Sequence, residues 1–282
     1  MQSNNPVFRR SEEFSSAGST RQGYGQTGYT DPSTWGIGTP GQPGVQTPVA
    51  TTGPMTIDSV VQKTAITLFL VFAAAAVTWL VTPEISATTT NADIGPLIAA
   101  MVIGSLAAFG LSMVNSFKRV ISPGLVMAFA VAEGVALGAL SKFFDAQFGG
   151  GIVTQAVIGT FAAFAGTLAA YKFFDIKVGN KFRTFVIAAV FGMVGLSLLE
   201  VVLGLFNSQL GLFGFGGVGL LFSIVGLVLG VFMLILDFDF VEQGVANGIP
   251  ERESWRAAFG LTVSLVWIYT NLLRILAIFS DN

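Results

Sequence analysis

The sequence contains no cysteine and no histidine, and only 11% of its 282 residues are charged. Without cysteine there is no disulfide, no thiolate nucleophile and no thiolate metal ligand. Without histidine there is no imidazole ligand, no HExxH zinc site and no Ser–His relay. Any group that changes charge near neutral pH must therefore be a carboxyl group in an unusual environment. A soluble domain carries about 25% charged residues, whereas this chain is 52% hydrophobic. It lacks the polar surface to coat a water-soluble globule, and the lipid bilayer is its expected partner. With a net charge of −2 and no dense basic cluster, nucleic acid is not an expected partner.

Residues 1–55 are rich in Gly, Ser, Thr, Gln and Pro and nearly devoid of aliphatic side chains. Such a segment cannot bury enough apolar area to offset the entropy of ordering, so a disordered cytoplasmic tail is expected there. No hydrophobic core follows Arg9 and Arg10, which argues against a signal peptide. The membrane domain is expected over 56–282, opening on a short helix capped by Thr56 or Asp58 and running through Val60 and Lys63. Seven apolar segments follow, at about 64–81, 94–114, 124–140, 152–171, 184–206, 216–236 and 257–279. Each is long enough, or nearly so, to cross a hydrocarbon core of about 30 Å as a helix. The fold class is an all-α polytopic membrane protein with seven spans.

Lysine and arginine concentrate in alternate loops. Lys63 precedes the first span; Lys118 and Arg119 join the second to the third; Lys172, Lys177, Lys181 and Arg183 join the fourth to the fifth; Arg252 and Arg256 join the sixth to the seventh. The other side holds Lys142, and Arg274 near the end of the last span is expected to snorkel to that interface. This asymmetry predicts a cell-membrane protein with a cytoplasmic N-terminus and a C-terminus on the outer side. Small residues recur at close-packing spacing: Gly134 and Gly138, Gly226 and Gly230, Gly104 and Gly110, Gly159 and Gly166. They serve either tight packing within one chain or a dimer seam.

The candidate site is acidic. The sixth span leaves the membrane as ILDFDFVEQGV, carrying Asp237, Asp239 and Glu242, while Glu133 and Glu200 lie inside the third and fifth spans. Ionisable groups at such depth are costly and mark ion or proton pathways more often than chance. If the sixth helix continues to Glu242, then Asp239 and Glu242 share a face and Asp237 points nearly the opposite way. Oxygen-only carboxylate sites suit a hard cation such as calcium, and Asp237 with Asp239 is the expected transient metal site. No resident cofactor is expected. Lys118 and Arg119 are the expected counter-ions, with Arg252 and Arg256 as competitors. Asn271, on the last span, is either an interhelical hydrogen-bond residue or part of a polar core. Asp237 and Asp239 are too close on one helix for a catalytic dyad, so no enzyme is expected.

The third-span run AEGVALGALS, the sixth-span exit ILDFDFVEQGV and the closing ERESWRAAFGLTVSLVWIYTNLLRIL resemble the Bax inhibitor / YccA-like family, in its actinobacterial branch. The resemblance implies six helices around a central seventh and a pH-sensitive calcium leak. It also implies, as an alternative, a non-conducting stress regulator that binds a membrane protease or another membrane protein. In the family's leak mechanism an aspartate closing the sixth span pairs with an acid on the seventh, and a second-to-third-loop arginine latches the closed state. Asp237 or Asp239 fits the first role, and Arg119, or else Lys118, fits the latch. The seventh span here has no acid; Ser264 or Asn271 occupies the matching position. Either Glu133 or Glu200 substitutes for the missing acid, or pH gating is altered. A proton-coupled solute transporter is the third expectation, weakened by the lack of an internal repeat.

Overall fold

The computed structural model describes residues 53–85, 91–149 and 151–280. Seven long helices run through it: α1 Ile57–Val81, α2 Asn91–Phe117, α3 Pro123–Phe148, α4 Ile152–Phe173, α5 Asn180–Leu205, α6 Gly217–Ala246 and α7 Ser254–Ser280. All seven are long and apolar enough to span a membrane. Their termini follow local chemistry. Thr56 and Ser59 form a reciprocal capping box at the start of α1, and Pro123, which has no N–H to lose, occupies the first turn of α3.

The helix at 57–63 is continuous with the first span, because the charge on Lys63 is satisfied within the fold. Its Nζ donates to Glu251 Oε1 at 2.7 Å and to the Glu251 carbonyl at 3.2 Å. The expected tail boundary shifts accordingly. Residues 1–52 lie outside the described residues, but 53–55 belong to the bundle. Met55 is buried, its N–H donates to Ile249 O at 2.7 Å, and Glu251 N–H donates to Gly53 O at 2.8 Å. This two-rung strap fastens the entry to α1 onto the α6–α7 connection.

At the centre lies α7, which packs against α1, α3, α4 and α6, while α2 packs on α3 and α5 on α6. Its apolar residues feed each buried cluster: Leu261, Leu265 and Ile268 one, Tyr269, Leu273 and Ala277 a second, Phe259 a third. The glycines of α3 and α6 act within the chain. A Cβ on Gly138 would stand 2.5 Å from the Ala75 carbonyl oxygen of α1, and one on Gly230 would stand 2.6 Å from Ile268 of α7. Lipid offers no hydrophobic drive for helix association, so such close backbone approach supplies the packing that holds α1 to α3 and α6 to α7. Gly110 and Gly166 meet nothing within 4 Å and take no part in this.

Two charges sit differently from expectation. Lys142, counted among the outer-side charges, lies inside α3, which runs past the expected end of the third span at 140, and is buried. Its Nζ donates to the carbonyls of Trp79 at 2.8 Å and Thr82 at 2.6 Å and to Glu84 at 3.2 Å. It thus caps the C-terminus of α1, where the carbonyls are unpaired and the helix dipole is negative. Arg274, expected to snorkel, is half-buried beneath the α5–α6 loop, with its guanidinium 5.1 Å from the centre of the Phe213 ring.

Candidate functional site: the carboxylates around the central helix

The helix does continue through Glu242, as α6 runs unbroken to Ala246. At about 100° per residue, Asp239 and Glu242 lie about 60° apart on one face and Asp237 points away from both, and each of the three meets a different helix. Asp237 turns to α7, where the Ser264 hydroxyl bonds its Oδ2 at 2.5 Å. Gly260, one turn earlier on α7, makes room: a Cβ there would come within 2.8 Å of Asp237 Oδ1. Asp239 turns to α5, receiving Arg183 Nη2 at 2.8 Å and the Gln243 amide at 2.8 Å. Glu242 turns to α4 and accepts the Tyr171 hydroxyl at 2.5 Å.

These directions correct the expected metal site. Asp237 and Asp239 bond to helices on different sides of α6, so no single ion is held by both in this conformation. Among the described residues no group of three acidic side chains converges to hold a metal. The counter-ion also differs from expectation. Arg183 pairs with Asp239, while Lys118 and Arg119 contribute carbonyls. Their backbone oxygens accept from Arg256 Nη2 at 3.4 and 2.9 Å, and Arg252 holds the Ile121 carbonyl at 2.8 Å. The basic residues of the α6–α7 connection therefore hold the α2–α3 loop by its backbone.

The partner sequence reasoning missed was in reach. Arg183 lies 22 residues before the end of α5 and Asp239 lies 22 residues after the start of α6. In an antiparallel hairpin of straight helices, equal distances from the turn place residues at one level. Counting Arg183 only as a loop charge concealed that match.

Glu200 leaves the proposed path. It is 4% exposed, and its carboxylate accepts the backbone N–H groups of Leu210 at 2.9 Å, Gly211 at 2.9 Å and Leu212 at 3.1 Å. A carboxylate with three backbone donors is fully engaged in fixing a turn. It clamps the α5–α6 loop, which also offers the Leu212 carbonyl to Arg274 at 3.4 Å. Glu200 stands ten residues beyond Val190, a residue beside Asp237, which is about 15 Å along α5.

Glu133 is the opposite case. It is half-buried on α3, and among the described residues neither a hydrogen-bond donor nor a cation reaches it. Its level follows from its neighbours: Phe129 packs edge-on against Phe259 of α7 with ring centres 5.0 Å apart, and Ser141 bonds Tyr269 at 2.6 Å. One turn past Phe129, Glu133 therefore lies at the level of Val263 and Ser264, and Ser264 carries Asp237 from the other helix. Two carboxyl groups with no counter-ion among the described residues thus occupy one depth around α7.

Asp237 also borders a cleft of about 210 Å³ lined by Val186, Ile187 and Val190 of α5 and by Met233 and Leu236 of α6. Every other lining group is apolar, so the carboxyl is the one polar feature of that wall. Asn271 lies deeper on α7; its amide donates to the Trp267 carbonyl at 2.7 Å, and Trp267 Nε1 donates to the Gly226 carbonyl at 2.8 Å. The Asn271 side chain also packs on Gly226 of α6, where a Cβ would collide with it. Asn271 is therefore an interhelical packing residue whose hydrogen bond stays within α7, and Ser264 is the seventh-span position that meets Asp237.

Seven apolar helices with buried charges at their interfaces define a multi-pass integral membrane protein. Residues 5–281 match the family described as Bax inhibitor 1 like, and the chain belongs to that family. A protein of Chlamydia muridarum (strain MoPn / Nigg), named only as an uncharacterized protein, is 28% identical over 152 residues. The match spans 54% of this chain and 60% of that relative.

Proposed function

We propose that this protein permits slow passage of a cation, calcium foremost, along α7 past Asp237, and that the conformation described here is closed. The observation that carries the reading is Asp237. It is a carboxyl group inside a spanning helix, bonded to one neutral hydroxyl, paired with no cation among the described residues, and bordering a cleft. A structural acid in a membrane normally acquires a full set of donors, as Glu200 and Asp239 do; one left with a single hydroxyl is suited to exchange that partner for water or an ion. Two features support closure. The Asp239–Arg183 and Glu242–Tyr171 contacts tie α6 to α5 and α4, and the cleft's apolar lining disfavours standing water, as in channels that close by dewetting.

In this chain the acid expected on the last span is replaced by Ser264, so pH sensitivity would reside in Asp237 with Glu133 as a second, separate titrating group. The test is calcium flux from liposomes between pH 5 and 8. Wild-type protein leaks with a pH response that Asp237→Asn abolishes, whereas Asp239→Asn, which releases Arg183, raises the leak and keeps the pH response. Flux equal to that of empty liposomes at every pH ends the reading.

The membrane side is part of the proposal. The loops bearing Lys118, Arg119, Lys177, Lys181, Arg252 and Arg256 face the cytoplasm of a cell membrane, and the C-terminus faces outward. Because the chain has no cysteine, a single cysteine placed at Ser3 or Ser280 reports its side directly. Impermeant maleimide reaching position 280 but not position 3 in intact cells is the expected pattern.

A non-conducting regulator is the second reading, favoured by the strap that fixes residues 53–55 to the α6–α7 connection. A partner recruited by the segment that precedes the strap, such as a membrane protease, would be lost on deleting residues 1–52 while the bundle stays folded. Retention of the partner after that deletion counts against this reading.

A further inference from the structure

A second cavity lies on the far side of α7 from Asp237, and nothing in the leak proposal uses it. It measures about 260 Å³ and is walled by Leu68, Phe72 and Trp79 of α1, Gly138 of α3, Val157 of α4 and Val266 of α7, among other residues. An apolar cavity of about 150 Å³ already accommodates a benzene-sized guest and stays dry. We infer that this cavity is a binding site for one acyl chain of a membrane glycerophospholipid, entering sideways between α1 and α4.

Three observations support that occupant. The first is shape. Leu68 and Trp79 are eleven residues apart on α1, so the lining extends about 16 Å along the helix axis, parallel to the chains of the surrounding lipid. The second is chemistry: the hydroxyls that border the space are all engaged by protein. Ser141 Oγ bonds the Leu137 carbonyl and the Tyr269 hydroxyl, each at 2.6 Å, and Thr160 Oγ1 bonds the Ala156 carbonyl at 2.7 Å. None of these needs water, and a polar guest would gain little there. An alkyl chain forfeits nothing.

The third is access. The rings of Phe72 and Phe161 stack 6.1 Å apart across the mouth, and they are 46% and 45% exposed. They face the hydrocarbon that surrounds a spanning bundle, so the medium itself supplies the guest. Trp79 closes the end near Thr82 and Lys142, where the helix reaches the membrane boundary and an indole sits comfortably against headgroups. A lipid whose headgroup stays at that boundary can place its chain alongside Trp79 and down toward Leu68.

The test uses the whole chain in nanodiscs containing a phosphatidylcholine with a mid-chain diazirine, irradiated and mapped by mass spectrometry. Adducts are expected on the cavity residues of α1 and α4 at several times the yield on Ile103 and Leu106, which are exposed on α2. Val157→Phe, or independently Ala76→Phe at a residue that also lines the cavity from α1, fills the space and should lower the cavity yield to the α2 level. Circular dichroism and a monodisperse elution profile check each variant's fold. A free fatty acid carrying the same diazirine is the second arm. Cavity labelling by the fatty acid alone contradicts a phospholipid guest, and phospholipid labelling that is uniform around the bundle, or unchanged by both filling variants, overturns the site. Neither result bears on calcium flux, so this inference and the leak proposal fail independently.

Discussion

Asp237 and Asp239 lie two residues apart on one helix and are held in opposite ways. Asp239 is 6% exposed and has an arginine and an amide on its oxygens; Asp237 has a serine hydroxyl and a cleft. The difference arises from about 200° of helix rotation, which aims one at α5 and the other at the central helix. The same contrast separates Glu200, clamped by three backbone donors, from Glu133, which has none among the described residues. A buried acid in a membrane is therefore not by itself a pathway marker. The proposal assigns a pathway role only to acids whose hydrogen bonds the fold leaves incomplete.

That contrast breaks most visibly at Glu200. Glu200→Leu leaves the N–H groups of residues 210–212 without their acceptor inside the bundle. A hydrogen bond to a charged group contributes about 1.5–3 kcal/mol, so a loss of roughly 3–5 kcal/mol is expected after allowing for loop relaxation. Thermal unfolding in detergent should show the largest drop of any variant here, while the pH response of the remaining folded protein is unchanged. A stability close to wild type would mean that the clamp contributes little.

Next in size is the inner tie. Arg183 is 45% exposed at its side chain, so solvent screening reduces the pair's contribution to about 1 kcal/mol. If that energy favours the closed conformation, Arg183→Gln raises calcium flux about 5-fold. An unchanged flux would show that α5 does not restrain α6.

Smaller still is the effect of Asp237→Asn on folding. The amide preserves a hydrogen bond with Ser264 and removes an ionisable group, so stability should shift by less than about 1 kcal/mol even as the pH response disappears. Ser264→Ala removes one hydroxyl beside a small residue and is expected to cost about 1 kcal/mol or less. It should alter the pH midpoint of flux without eliminating the response. An identical midpoint would separate Ser264 from the sensor.

Most of the fold was legible because each span is an apolar run bounded by charge, and each expected span overlaps one of the helices α1–α7, with α1, α3 and α6 running seven to ten residues further. The residues that extended them were the ones carrying charge. Lys63, expected on a short helix before the first span, and Lys142, counted with the loop charges, both lie within spanning helices, since carbonyls and carboxylates from elsewhere in the chain complete them. Which helix meets which was not legible. In lipid an apolar residue facing a neighbour and one facing the bilayer read alike, so apolar periodicity gives little direction. The polar residues of α7 were the better guide, because Thr262, Ser264 and Asn271 are all buried. Of the acids, the opposed directions of Asp237 and Asp239 followed from spacing. The role of Glu200 did not, because its donors are backbone groups of a loop that carries no sequence mark for them. The N-terminal boundary moved by three residues for a similar reason: the strap at 53–55 is made by main-chain hydrogen bonds.

The most direct test of the central claim is calcium efflux from liposomes carrying wild-type, Asp237→Asn or Asp239→Asn protein, measured across pH 5 to 8. The account predicts a pH-dependent leak for wild type, a pH-independent one for Asp237→Asn, and a larger but still pH-dependent one for Asp239→Asn. Identical pH profiles for wild type and Asp237→Asn would contradict it, whatever their absolute rates.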